Sequence, residues 1–174
     1  MFLSSPTIRN LLRGAILAAG TLSVLGATGC AAVAGDQEIE TKFRVKPRSD
    51  GTFFGWTEIS ITDDPNSVDG ATLGYVTLRA QEPPNADLSF LQTLTGEAVK
   101  DEERTQLVSQ TKFPEKEPEV ALKVDYHGDL RGFFTTDEKH KIRIEWNGAT
   151  NPSFTNWPEN GFEMKVVVSI KIDD

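Results

Sequence analysis

The chain has 174 residues and is acidic, with 26 aspartates and glutamates against 18 lysines and arginines and a net charge of −8. A negative charge of this size repels nucleic-acid phosphates and anionic lipid headgroups, which argues against either as a partner bound by charge. The single cysteine excludes an intramolecular disulfide.

The first 29 residues have the layout of a secretory signal. Arg9 and Arg13 carry the only charges, an uncharged run covers residues 14–25, and four small residues stand directly before Cys30. A charged region, an apolar region and a small-residue cleavage region in this order predict export and removal of the segment. The remaining 145 residues are a usual size for one domain.

The end of this segment, Ala27-Thr28-Gly29-Cys30, resembles the lipobox of bacterial lipoproteins. The resemblance implies that Cys30 is acylated, for example with palmitate, and becomes the first residue of the mature chain. Ala27 departs from the pattern, because leucine is most frequent three residues before the cysteine. Two or three acyl chains, at about 0.8 kcal/mol per buried CH₂, would hold the protein firmly on a membrane. The absence of aspartate at positions 31 and 32 implies the outer membrane in a Gram-negative envelope.

Two other interpretations of the N-terminus stay open. Residues 14–34 carry no charge and are long enough to span a bilayer if they are not cleaved. An ordinary cleaved signal with an incidental cysteine is the second alternative, although a lone thiol is a liability in an oxidising compartment. In the favoured interpretation residues 30–40 are a lipidated cysteine and tether, and residues 41–174 form a single domain.

Period-two alternation predicts β-strands through most of that domain. Residues 41–46 alternate first. Residues 53–62 place an apolar row on one face and Phe54 and Trp56 on the other, with a bulge or sharp twist expected near Gly55. Further strands are predicted at residues 71–80, 88–95, 120–126, 130–135, 140–146 and 162–172, and a charged loop at 96–119.

About eight strands and no convincing long helix predict an all-β fold. We expect an antiparallel, immunoglobulin-like β-sandwich, with a lipocalin-like β-barrel as the alternative. The sandwich interpretation depends on strand number and length, because the paired cysteines of immunoglobulin domains are absent.

The turn at residues 63–70 has the composition of a calcium-binding loop but does not fit an EF-hand, whose sixth position is glycine and twelfth is glutamate. A looser calcium site remains an alternative to a solvated turn. Its ligands would be Asp63, Asp64, Asn66 and Asp69.

No catalytic or cofactor motif is recognisable in the sequence. His127 and His140 are the only histidines, and nothing in the spacing requires them to meet Asp125 or Asp129. With Cys30 acylated, no thiol nucleophile remains. We therefore predict a protein that is not an enzyme and needs no cofactor.

Aromatic residues on loops are the best candidates for partner contact. Phe154 and Trp157 lie among the turn residues of 147–160 and would contact a protein or a glycan, unless they fold back over one end of the core. Phe54 and Trp56 are a second candidate, for which we expect burial in the core.

Three functions follow as hypotheses. The first is a lipid-anchored envelope protein that binds an envelope protein or glycan or serves structurally. The second is a carrier of a small apolar ligand or lipid, lined by the apolar rows of residues 41–46 and 162–172. The third is a hydrolase with an unrecognised site at the histidines.

Overall fold

The segments of alternating apolar and polar residues form the strands of two antiparallel β-sheets. The computed structural model describes residues 35–136 and 139–173. The predicted signal segment and Cys30 lie outside the described residues. The strands are β1 (Gly35–Val45), β2 (Thr52–Ser60), β3 (Gly70–Glu82), β4 (Leu91–Lys100), β5 (Glu103–Gln110), β6 (Glu119–Ala121), β7 (Lys123–Val124), β8 (Lys141–Thr150) and β9 (Phe162–Asp173).

One sheet has the strand order β1-β9-β3-β6 and the other β2-β8-β4-β5-β7. The predicted antiparallel β-sandwich is confirmed, and the two sheets do not close into the barrel that was its alternative. The strand order differs from that of an immunoglobulin domain. Here β1 and β2 lie in opposite sheets, whereas the first two strands of an immunoglobulin domain lie in the same sheet.

One side of the sandwich is closed by a segment that changes sheets. β6 pairs with β3, β7 pairs with β5, and between them the Leu122 amide donates to the Val76 carbonyl oxygen. At the other side the edge strands β1 and β2 approach each other. Phe43 of β1 packs so tightly on Gly55 of β2 that a methyl group at Gly55 would clash with its ring.

Large side chains fill the space between the sheets. Phe43 stacks on Trp146 with ring centroids 5.3 Å apart, and Phe90 stacks on Phe162 at 3.8 Å. In the apolar rows of β1 and β9, proposed above as the lining of a ligand cavity, Phe43 therefore packs against Trp146 of the opposite sheet and Phe162 against Phe90, which directly precedes β4.

The structure differs from the sequence predictions in several places. β1 begins at Gly35 and pairs with β9 along its whole length, so that only residues before Gly35 are left for a tether. The predicted loop at residues 96–119 is mostly a hairpin of β4 and β5. The charged residues 100–104, which suggested a loop, form the turn of this hairpin, where Asp101 has a positive φ.

β2 and the segment before β8 also differ from the predictions. β2 pairs with β8 without a bulge at Gly55, because Phe53 joins the buried row. The predicted strand at residues 130–135 contains a 3₁₀ turn at Arg131–Phe133 instead.

Candidate functional site

Phe154 and Trp157 form a lid on one end of the core. Both are half-buried, and both meet Phe90 and Phe162 edge-to-face with centroid distances of 5.4 to 6.0 Å. The Trp157 indole nitrogen donates to the Phe154 carbonyl oxygen at 3.1 Å, which holds the loop on the lid. These contacts give the two side chains a packing role that accounts for their aromatic character.

Phe54 and Trp56, by contrast, lie on the outer face of edge strand β2. Phe54 is 36% exposed and Trp56 is 51% exposed, and the only other exposed large apolar side chain among the described residues is Tyr75, on the other sheet. The expectation that Phe54 and Trp56 belong to the core is wrong. The regular alternation of β2 buries Phe53, Thr57 and Ile59 and turns Phe54, Trp56 and Glu58 outward.

Arginine side chains hold both exposed rings. The Arg143 guanidinium carbon lies 5.1 Å from the centroid of the Trp56 ring, and that of Arg48 lies 5.6 Å from the centroid of Phe54. Cation–π contacts of this kind contribute about 0.5–1 kcal/mol at exposed sites. They favour the orientation in which each ring lies against its arginine.

A nearly buried carboxylate lies beside Trp56. Glu145 of β8 is directly opposite Trp56 in the strand pairing, and its side chain is only 8% exposed. Arg143 and Arg104 each approach a different carboxylate oxygen at 3.1 Å. A buried charge is tolerated when it is paired and hydrogen-bonded in this way. Glu145 thereby fixes the guanidinium that holds the Trp56 ring.

A cleft of about 300 Å³ continues this surface along the ends of β2 and β8. Arg143 is common to the cleft and to the contact with Trp56. The other lining side chains include Glu58, Lys141, Lys100, Asp101 and Phe133. We call Phe54, Trp56, Arg143 and this cleft the Trp56 surface. It combines exposed aromatic rings with a concavity lined by both apolar and charged side chains, as ligand-binding surfaces do.

The candidate calcium ligands are engaged within their own turn or by a neighbouring strand. Asp64 accepts from the backbone and side-chain nitrogens of Asn66 at 2.9 and 3.0 Å, and Asp63 accepts from Gln37 at 2.6 Å. Within the described residues no group of three or more histidine, cysteine, aspartate or glutamate side chains is placed to hold a metal ion. Asp63, Asp64 and Asp69 are therefore not brought together as a calcium site would require.

The candidate acid–base residues have other partners. Hydrogen bonds from Lys123, Ser109 and Gln106 lower the pKa of Asp125 to about 2. Partial burial would raise the pKa of Asp129, but bonds from Arg131 and from the Ala71 amide more than offset this and lower it.

The two histidines do not complete a catalytic pair in the part of the chain that the structure describes. His127 is exposed, and His140 is half-buried with an Nδ1 that has no hydrogen-bond partner. No hydrogen bond joins either histidine to Asp125 or Asp129 among these residues. The geometry required of an acid–base pair is not formed by these four side chains.

No protein-family model matches the chain, and no curated protein is significantly similar to it. Across residues 35–136 and 139–173, no helix is both long and apolar enough to cross a bilayer. The two sheets define the protein as an antiparallel β-sandwich, and the Trp56 surface is its candidate functional site.

Proposed function

We propose that this chain is a lipid-anchored protein of the cell envelope whose β-sandwich binds an envelope component through the Trp56 surface. The exposure of Phe54 and Trp56 side by side on β2 carries the proposal. Their rings are held by arginines and are not needed to fill the core. Exposed tryptophan with neighbouring arginine is the composition typical of residues that dominate binding energy in interfaces.

The anchor part of the proposal is supported by the N-terminal sequence. The signal-like segment and the lipobox-like residues before Cys30 predict acylation of that cysteine. β1 begins at Gly35, so at most four residues, 31–34, separate the acylated cysteine from the first strand. Since an extended residue spans at most about 3.6 Å, the stretch from Cys30 to Gly35 would keep the start of β1 within about 18 Å of the membrane surface. Its partner would lie in the envelope, at the outer membrane if the cell is Gram-negative.

Binding is better supported than the two alternatives. A carrier of an apolar ligand would need an apolar interior space, but the inward rows of β1 and β9 contact Trp146 and Phe90 across the sandwich. A hydrolase at the histidines would need a carboxylate partner, but Asp125 and Asp129 are bonded to Lys123 and Arg131. We therefore propose a non-enzymatic role.

Photo-crosslinking in the intact cell tests the binding proposal. A photoreactive phenylalanine analogue at position 56 should give a crosslinked product, whereas the same analogue at position 75 should give none. Position 75 is the matched control, because Tyr75 is comparably exposed, at 41%, but lies on the other sheet. Equal crosslinking at both positions, or none at position 56, would contradict the proposal.

A further inference from the structure

We infer that the ligand of the Trp56 surface is a neutral glycan, with one sugar ring against Trp56 and a neighbouring sugar in the cleft beside Arg143. This inference rests on the proposed binding function and names the ligand class. Three properties of the surface carry it: its small apolar area, the mixed polar lining of the cleft and the balance of its charges.

The apolar area is too small for a stable protein interface. Of the large apolar side chains described, only Phe54 and Trp56 are exposed on this sheet, and they are exposed by 36% and 51%. A standard protein–protein interface buries about 800 Å² on each partner around a central apolar core. Two partly exposed rings supply a small part of that area, but a flat ring is enough to contact the apolar face of one sugar.

The lining of the cleft offers donors and acceptors beside the apolar side chains of Val99, Phe133 and Phe134. Lys141 and Arg143 can donate hydrogen bonds to a ligand there, and Glu58 and Asp101 can accept them. A purely anionic group in the cleft would face the two carboxylates, and a purely cationic group would face the basic side chains. A sugar hydroxyl both donates and accepts, so it can use either kind of neighbour.

The outer face around Trp56 is nearly balanced in charge, although the chain as a whole carries −8. Many of the charges on this face are already in ion pairs, as are Arg143 and Arg104 with Glu145 and Lys141 with Glu58. The strand pairing, the cleft and the Arg48–Phe54 contact place five basic and four acidic residues here, namely Arg48, Lys100, Arg104, Lys141, Arg143, Glu58, Glu97, Asp101 and Glu145. A neutral ligand displaces none of these pairs, whereas a charged ligand would have to compete with them.

The spacing of the aromatic residues suits a chain of sugars. Phe54 and Trp56 are two positions apart on β2, which places their side chains roughly 7 Å apart on one face. The cleft begins at Glu58, two positions further along the same face. A glycan running along β2 would therefore meet Phe54, Trp56 and the cleft in succession.

Isothermal titration calorimetry with defined probes tests the inference. Every described strand and core residue lies between Gly35 and Asp173, so a chain that begins at Ala31 retains the whole sandwich. The probes are maltohexaose, cellohexaose and the N-acetylglucosamine hexamer as neutral glycans. Hexagalacturonate serves as the anionic glycan and a glutamate homopeptide as the acidic peptide.

At least one neutral hexasaccharide should bind, and Trp56→Ala should weaken that binding about tenfold or more, because ring contacts of tryptophan are among the strongest in interfaces. Tyr75→Ala, the matched control on the other sheet, should leave the affinity unchanged. Raising the salt concentration from about 50 mM to about 500 mM should also leave it unchanged, since screening acts only on charged ligands. Near-UV circular dichroism checks that each variant is folded.

Three results would overturn the inference: no binding of any neutral glycan, equal binding by Trp56→Ala, or tighter binding of hexagalacturonate or the glutamate peptide. The glycan inference and the proposed binding function are contradicted by different results. A crosslink from position 56 to a protein, with no neutral glycan bound, would exclude the glycan but support the binding function, whereas the absence of any crosslink from position 56 would contradict the binding function.

Discussion

The buried hydrogen bond between Thr57 and Trp146 offers a quantitative test of how the sandwich is held together. The Trp146 indole nitrogen donates to the Thr57 hydroxyl at 3.0 Å. Trp146 is 0% exposed and Thr57 is 3% exposed. Thr57→Val replaces the hydroxyl by a methyl group of similar size and leaves the indole N–H without its partner. An unsatisfied buried donor costs about 1–3 kcal/mol. At roughly 2–4 °C per kcal/mol for a domain of this size, Tm should fall by about 2–12 °C.

Urea unfolding followed by circular dichroism measures this cost, and an unchanged m-value would show that the denatured state is unaffected. The control is the same substitution in a Trp146→Phe background, where the ring has no N–H to satisfy. There Thr57→Val should cost much less, and the difference between the two backgrounds is the interaction energy of the pair. A loss below about 0.5 kcal/mol, or the same loss in both backgrounds, would refute the reasoning.

Three further predictions concern the anchor, the strand packing and the acid stability. Metabolic labelling with a fatty acid should mark the wild-type chain, and label that persists on Cys30→Ser would overturn the lipobox assignment. Gly148→Ala should destabilise the fold by about 3 kcal/mol or more in denaturant titrations, because a Cβ there would overlap a backbone oxygen of β4. Gly132→Ala is the matched control, since nothing lies within 4 Å of its Cβ position, and a comparable loss there would contradict the steric explanation. Asp125, whose pKa the Lys123 ammonium and neighbouring groups lower to about 2, should stabilise the fold fully above about pH 4 and lose that contribution as the pH falls toward 2. Asp125→Asn should therefore cost about 1 kcal/mol at pH 7, after allowance for solvent screening, and much less near pH 2, as measured by unfolding at both values.

The sequence placed Trp56 on the face of β2 opposite the apolar row, but the expectation that this face is buried was wrong. Strict alternation along β2 places Phe54 and Trp56 opposite the row of Thr57 and Ile59, and that row is buried. Alternation alone, however, cannot tell a face covered by another layer from a face in solvent. Only the strand order, which leaves the outer face of β2 uncovered, exposes the two rings.

The predicted loop at residues 147–160, whose first four residues belong to β8, left two placements open for Phe154 and Trp157: contact with a partner, or folding back over the core. The two side chains pack on Phe90 and Phe162. A loop can cover the end of a core without any periodic signal in its sequence. The same limit applies to Arg143, Glu145 and Arg104, whose association depends on the register of three different strands.

By itself, the sequence determined the all-β class, the positions of most strands and the prediction of an exported, acylated chain. These properties are local, because period-two alternation, turn residues and the order of charged, apolar and small segments are all read within short windows. The tertiary structure decided which strands share a sheet, which large side chains stack between the sheets, and that Trp56 lies on an open face beside a cleft lined by apolar and charged side chains. Those properties depend on residues far apart in the chain, and pairing between strands that are distant in sequence leaves no trace in any single segment.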